Sequence, residues 1–204
     1  MKIKKSPNSN KKRILKVARK YFFTFGYSTV TMGQLAIELQ MSKKTIYKFF
    51  KSKQILLESV IYDFFQEFND KINEIINEKN KSNNVLETLK LFLFLIQSQI
   101  SQINVYAFED IRKNSPETWQ AIGNLREKMI NNELRDLLRQ GKKEGIVRKD
   151  IDIDIIVLII LNTVQHVATP EIISQLPYST EEVIEMIARI FMFGILSPEN
   201  MIKP

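Results

Sequence analysis

Lys43, Tyr47 and Lys51 follow one another in steps of four, as do Lys44 and Lys48, a spacing that gathers side chains on one side of a helix. Ile46 and Phe50, one turn apart, fall on the opposite side and predict an anchored inner face. A helix about two turns long carrying ammonium groups and a phenol outward suits a polyanion. Lysines displace counterions from phosphates, and the first residues of such a helix reach base edges when it lies in the major groove. Lys43, Lys44, Thr45 and Tyr47 are the candidates for base contacts, with Lys48 on the same face. Thr31 and Ser42, at helix starts where backbone amides favour an anion, and Lys53, at the head of the next helix, are the candidates for phosphate contacts. A solvated lysine-rich face is the plain alternative for this segment.

The charge distribution argues against that alternative. The net charge is +7, yet residues 1–53 hold fourteen lysines and arginines against one acid, Glu38, while the remainder holds sixteen against twenty-two acids. A basic head on an acidic body points to a polyanion at one end, the acidic part avoiding non-specific adhesion.

Other chemistries lack their residues. With no cysteine and one histidine, thiolate zinc sites, a cysteine nucleophile and imidazole-rich metal sites are excluded, and no metal or cofactor is expected. A carboxylate-bridged metal bundle needs two Glu-x-x-His pairs, and no Gly-x-Ser-x-Gly elbow is present, so an enzyme is not expected. The apolar runs Leu91–Ile96 and Ile155–Leu161 are too short to span a bilayer, and no apolar signal core follows the basic start MKIKKSPNSNKKR. The reading is a soluble cytoplasmic protein without a membrane partner.

The elements that must position these residues are helices. Glycine and proline number six each, 44% of the residues are hydrophobic, and apolar residues recur at three and four rather than two. Ile14, Ala18, Phe22 and Phe25 form the stripe of a first helix ending at Gly26. Thr31 opens a second, its spacing to Gln34 fitting a capping box, with Met32, Leu35, Ala36 and Leu39 inward. After a turn at Gln40 and Met41, Ser42 caps the third. A longer amphipathic helix runs from Ser52 toward Ile76, and the polar stretch Asn77–Asn84 ends it. Further helices are expected over Val85–Ile103, around Val105–Lys113, from Ser115-Pro116 to a break at Gly141 and Gly145, from Asp152 to Ala168, and from a second capping box, Ser179 with Glu182, to Gly194.

The stretch TVTMGQLAIELQMSKKTIYKFFKSKQILL, preceded by ILKVARKYFFTFGYSTVT, closely resembles the TetR/AcrR transcription regulators over residues 12–60. The resemblance implies an all-α protein in two parts. Residues 9–55 would form a three-helix DNA-binding domain with its helix-turn-helix at about 31–50, and residues 56–204 a helical ligand-binding and dimerisation domain. It also implies a homodimer on a double-stranded operator of inverted-repeat form and repression relieved by a small molecule. Thr31, Ser42, Thr45, Tyr47 and Lys53 carry over as DNA contacts, with Ile46 and Phe50 as core. Two positions depart from the pattern: Gln40 stands where the turn commonly has glycine, and Phe49 replaces a side chain that often bonds phosphate, which phenylalanine cannot do.

Beyond residue 60 the resemblance is one of layout, with LRDLLRQGKKEGIVRKDID as a weak tag. The apolar stretches Ile155–Val167 and Val183–Ile195 are expected to pair with their twins in a four-helix dimer interface. Phe64, Phe68, Phe92, Ile96, Tyr106, Phe108, Trp119 and His166 are candidates to line a cavity for an apolar or amphipathic ligand. A body without such a cavity would instead suit a regulator that binds DNA constitutively or answers to another protein.

Overall fold

Thr31, Ser42, Asp152 and Ser179 each stand just before a helix and accept hydrogen bonds from its first free amides, donors that otherwise have no partner within the helix. Both expected capping boxes are present, Thr31 with Gln34 and Ser179 with Glu182. The computed structural model describes residues 7–80, 85–100 and 103–196. Residues 1–6 of the basic start and 81–84 of the polar interruption lie outside the described residues.

The described residues are helical almost throughout: α1 (Pro7–Phe25), α2 (Met32–Glu38), α3 (Lys43–Phe49), α4 (Lys53–Asn80), α5 (Val85–Ile100), α6 (Val105–Asn114), α7 (Pro116–Met129), α8 (Arg135–Lys143), α9 (Ile153–Asn162), α10 (Pro170–Ile173) and α11 (Thr180–Ile195). A π turn at Ile130–Leu134 joins α7 to α8, and another at Thr163–Val167 extends α9. Among the described residues no helix is long and apolar enough to cross a membrane.

The chain forms two compact units. The first takes in residues up to Glu67 together with Ile103–Ile122; the second comprises Phe68–Gln102 and everything from Gly123 onward. In the first unit Ile14, Ala18 and Phe22 are fully buried along α1, as are Leu35, Leu39 and Ile46 on α2 to α3. Phe25, expected on the same stripe, is 54% exposed, its ring edge-on to Tyr21 at 5.6 Å. Gly26, four residues after Phe22, takes the inward place and turns the chain away at φ +87°. Gln40 adopts φ +53° in the α2–α3 turn. The departure seen in the sequence is therefore a real cost: a left-handed conformation that glycine adopts freely is imposed on a residue with a Cβ, at about 1–2 kcal/mol.

The core of the second unit is built from Ile72, Val85, Leu89, Phe92, Leu138 and Val147, with Ile156, Val157 and Ile195 closing it. Gly141, expected to break the long helix, lies inside α8. Its role is close approach: a Cβ there would come within 2.8 Å of Val147 Cγ2 and 3.2 Å of Val85 Cγ1. The helix ends instead at Glu144 and Gly145, the latter at φ +76°.

Candidate nucleic-acid interface

Position of the third helix is set from below. Ile46 is fully buried and Phe50 is 2% exposed, so α3 is held by its inner side while Lys43, Lys44, Tyr47, Lys48 and Lys51 are all exposed. Thr45 is half-buried; its amide donates to Ser42 Oγ at 3.0 Å and the two hydroxyls lie 2.8 Å apart. Thr31 likewise closes its own cap, its hydroxyl donating to Gln34 Oε1 at 3.0 Å and accepting from the Gln34 amide at 3.2 Å. Lys43 runs back over the first turn of α2, because Gly33 leaves room: a Cβ on Gly33 would lie 3.0 Å from Lys43 Cε and 3.3 Å from its Nζ.

Lys53, expected at a phosphate, makes its own contacts within the head. Its ammonium group points into the loop between α1 and α2, donating to the carbonyls of Tyr27 at 2.8 Å and Val30 at 3.0 Å, with Ser28 O at 3.5 Å. It also sits 4.3 Å from the centre of the Tyr27 ring. Burial lowers its pKa and the Asp110 carboxylate opposes that shift. An ammonium has three donors, and here they serve the loop that leads into α2, so Lys53 acts by holding the head together. Lys53→Ala is therefore expected to leave the slope of log K against log salt unchanged while lowering the head's stability by about 2 kcal/mol, the worth of charge-assisted hydrogen bonds. A slope flattened by about one unit in a salt titration would return Lys53 to the phosphate contacts.

Other cations of the head are structural in ways the sequence did not signal. Arg13 donates to the carbonyl of Leu39 at 2.8 Å, satisfying the end of α2. Arg19 joins α1 to α4 through Asp63 at 3.0 Å and Glu67 at 2.6 Å. The basic count of the head thus overstates the charge on display, which among the described residues up to Lys53 is carried by the lysines of α3, by Lys51 and by Lys11, Lys12, Lys16 and Lys20 of α1.

The eight candidates for a ligand cavity divide between the two units. Phe64 packs edge-on against Phe23 at 5.1 Å and Phe65 at 5.8 Å, in the first unit's core. Phe108 and Trp119 meet edge-on at 5.8 Å in the same unit, and Tyr106 is 76% exposed. Phe68 and Phe92 are buried in the second unit's core with Ile96 packed against it, and His166 is exposed on the π turn. Phe64 is thus buried among aromatic rings of the first unit, and Tyr106 and His166 face outward in the single chain. Even spacing could not tell these fates apart, since an aromatic is equally suited to core, cavity or surface. Among the described residues no group of three or more metal-ligating side chains gathers.

Residues 14–60 match the bacterial regulatory proteins of the tetR family. The chain is 28% identical over 192 residues to YvaF, an uncharacterized HTH-type transcriptional regulator of Bacillus subtilis, covering 93% of this chain and 97% of that one. Its fold is similar to that of FadR from Bacillus subtilis, solved in complex with stearoyl-CoA (TM-score 0.66, 19% identity, 90% of this chain and 98% of that one). It is also similar to that of the ketosteroid regulator KstR2 of Mycobacterium tuberculosis (TM-score 0.61, 21% identity, 93% and 96%). A capped three-helix head with a cationic outer helix, matched across residues 14–60, identifies a DNA-binding head of the tetR family of bacterial regulatory proteins, followed by a body whose all-helical layout is similar to that of the solved regulators.

Proposed function

We propose that the protein is a homodimeric repressor that leaves its operator when a small apolar or amphipathic molecule binds the helical body. Residues 9–55 make the DNA contacts, through Lys43, Lys44, Thr45 and Tyr47 at base edges and Thr31, Ser42 and Lys48 along the backbone; residues 56–204 bind ligand and pair the subunits. The observation that carries the DNA contacts is the outer face of α3, exposed and cationic above a buried Ile46 and Phe50.

Pairing is supported by two apolar faces that a lone chain would leave in water. On α9, Ile155, Leu158 and Ile159 are each at least half exposed, and on α11 Ile190 is 71% exposed with Met186 and Phe193 beside it at helical spacing. Large exposed apolar faces mark contact surfaces, and twofold pairing makes each face its own partner. The ligand class is supported by the stearoyl-CoA held by the similar FadR structure. Release follows if the ligand prefers a state in which the two recognition helices no longer match successive major grooves.

Selection of bound duplexes from random-sequence DNA with the purified protein tests the reading. The expected result is an inverted repeat whose half-sites lie about one helical turn, or a multiple of it, apart. Recovery of a single asymmetric half-site would overturn the dimer, and recovery of no preferred sequence would overturn specific recognition.

A further inference from the structure

The loop Gly26–Val30 delivers the chain from α1 to the Thr31 cap of α2, and it is gripped from two sides within the first unit. Lys53 holds its carbonyls, as described above. From the opposite charge, the Asp110 carboxylate of α6 accepts the Ser28 amide at 2.7 Å on Oδ2 and the Ser28 hydroxyl on Oδ1. Asn114, one turn further along α6, donates to the same Oδ1 at 2.7 Å and fixes the carboxylate. The fit against the backbone is close: a Cβ on Gly26 would lie 2.7 Å from Asp110 Oδ2. Two neighbouring contacts anchor this part of the unit. The amide of Asn104, which caps α6, donates to Phe23 O at 2.9 Å, and Gln54 of α4 bonds the buried hydroxyls of Ser115 and Thr118 at 3.0 and 2.9 Å.

We propose that Asp110, far outside the helix-turn-helix in sequence, is a positioning residue for DNA recognition: by fixing Ser28 it sets the entry of α2 and, through α2, the pose of α3. The inference rests on the DNA-binding reading of α3 and adds to it a residue 82 positions beyond Ser28. A hydrogen-bonded anion on this loop is informative because its electrostatic effect has the wrong sign to help. Removing a negative charge from a basic head strengthens attraction to a polyanion, whereas loosening the loop lets α3 move, and an ångström of drift is enough to lose base-edge bonds. Charge alone and positioning therefore predict opposite changes in affinity.

The test uses the duplex selected above, with affinity read by fluorescence anisotropy at 25 °C over a range of salt and folding checked for each variant by circular dichroism. Asp110→Ala is expected to bind about tenfold more weakly with an unchanged salt slope. Asp110→Asn, which keeps one acceptor oxygen, is expected to lose less. The double variant Ser28→Ala/Asp110→Ala should be no weaker than Asp110→Ala, since both changes break the same contact. A general loss of stability would not move the affinity of variants that remain folded. Affinity equal to or above that of the unaltered protein in Asp110→Ala overturns the proposal. Should that variant not fold, Ser28→Ala decides, with about threefold weaker binding expected and unchanged binding overturning it. Failure to select any duplex with the unaltered protein strikes the DNA-binding reading itself; a selected duplex held equally well by the variant removes only the role of Asp110.

Discussion

Ile190→Asp is expected to turn the proposed dimer into monomers. Ile190 is 71% exposed in the single chain, on a helix face shared with Met186 and Phe193. In a twofold interface one substitution acts twice. Each copy forfeits about 2 kcal/mol of apolar burial and places a carboxylate where no water reaches it. The sum, at least about 4 kcal/mol, raises the dimer dissociation constant roughly a thousandfold. Sedimentation velocity at micromolar concentration should show the monomer, with the helical circular dichroism spectrum retained because Ile190 has little to do with the subunit's own core. Operator affinity should fall by about 10²–10⁴ in the same variant, since two linked half-site contacts become two separate ones. A variant that still sediments as a dimer would move the interface away from α11.

Replacing Lys43, Lys44 and Lys48 together by alanine is expected to remove specific binding almost entirely while leaving the fold intact. All three side chains are exposed, and exposed lysines change stability by no more than about 0.5 kcal/mol. At the DNA each contact is worth about 1–3 kcal/mol if it reads a base edge, or about 0.9 in the salt slope if it neutralises a phosphate. Either way the loss for three is at least about a hundredfold. The single variants separate the two roles: one that relaxes preference at a single base position reads a base, and one that weakens every sequence alike and flattens the slope contacts phosphate. Lys43 is the most constrained of the three, as it lies across Gly33. A triple variant retaining full affinity would contradict an interface on α3.

Much of the head was legible in the sequence for a local reason. A cap, a period of 3.6 and a glycine at a turn are short-range signals: Thr31 with Gln34 and the Ser42 cap formed as expected, as did Ser179 with Glu182 in the second unit. The division of α3 into an anchored side and a lysine side follows from the same period. Gln40 showed the limit of the local view: its identity marked an unusual turn, and the cost appeared only as a positive φ.

The sequence by itself determined the helices, their caps and which face of α3 carries the charge, because those properties depend on residues within one or two turns of each other. Only the tertiary structure decided what each charge does. Lys53 and Arg13 were indistinguishable from Lys44 by composition, yet their cations meet backbone carbonyls of the first unit while Lys44 stands exposed. Asp110 reaches Ser28 across 82 residues, a distance no periodicity spans. A charged side chain's role is fixed by the groups that surround it in space, and packing alone brings those groups together.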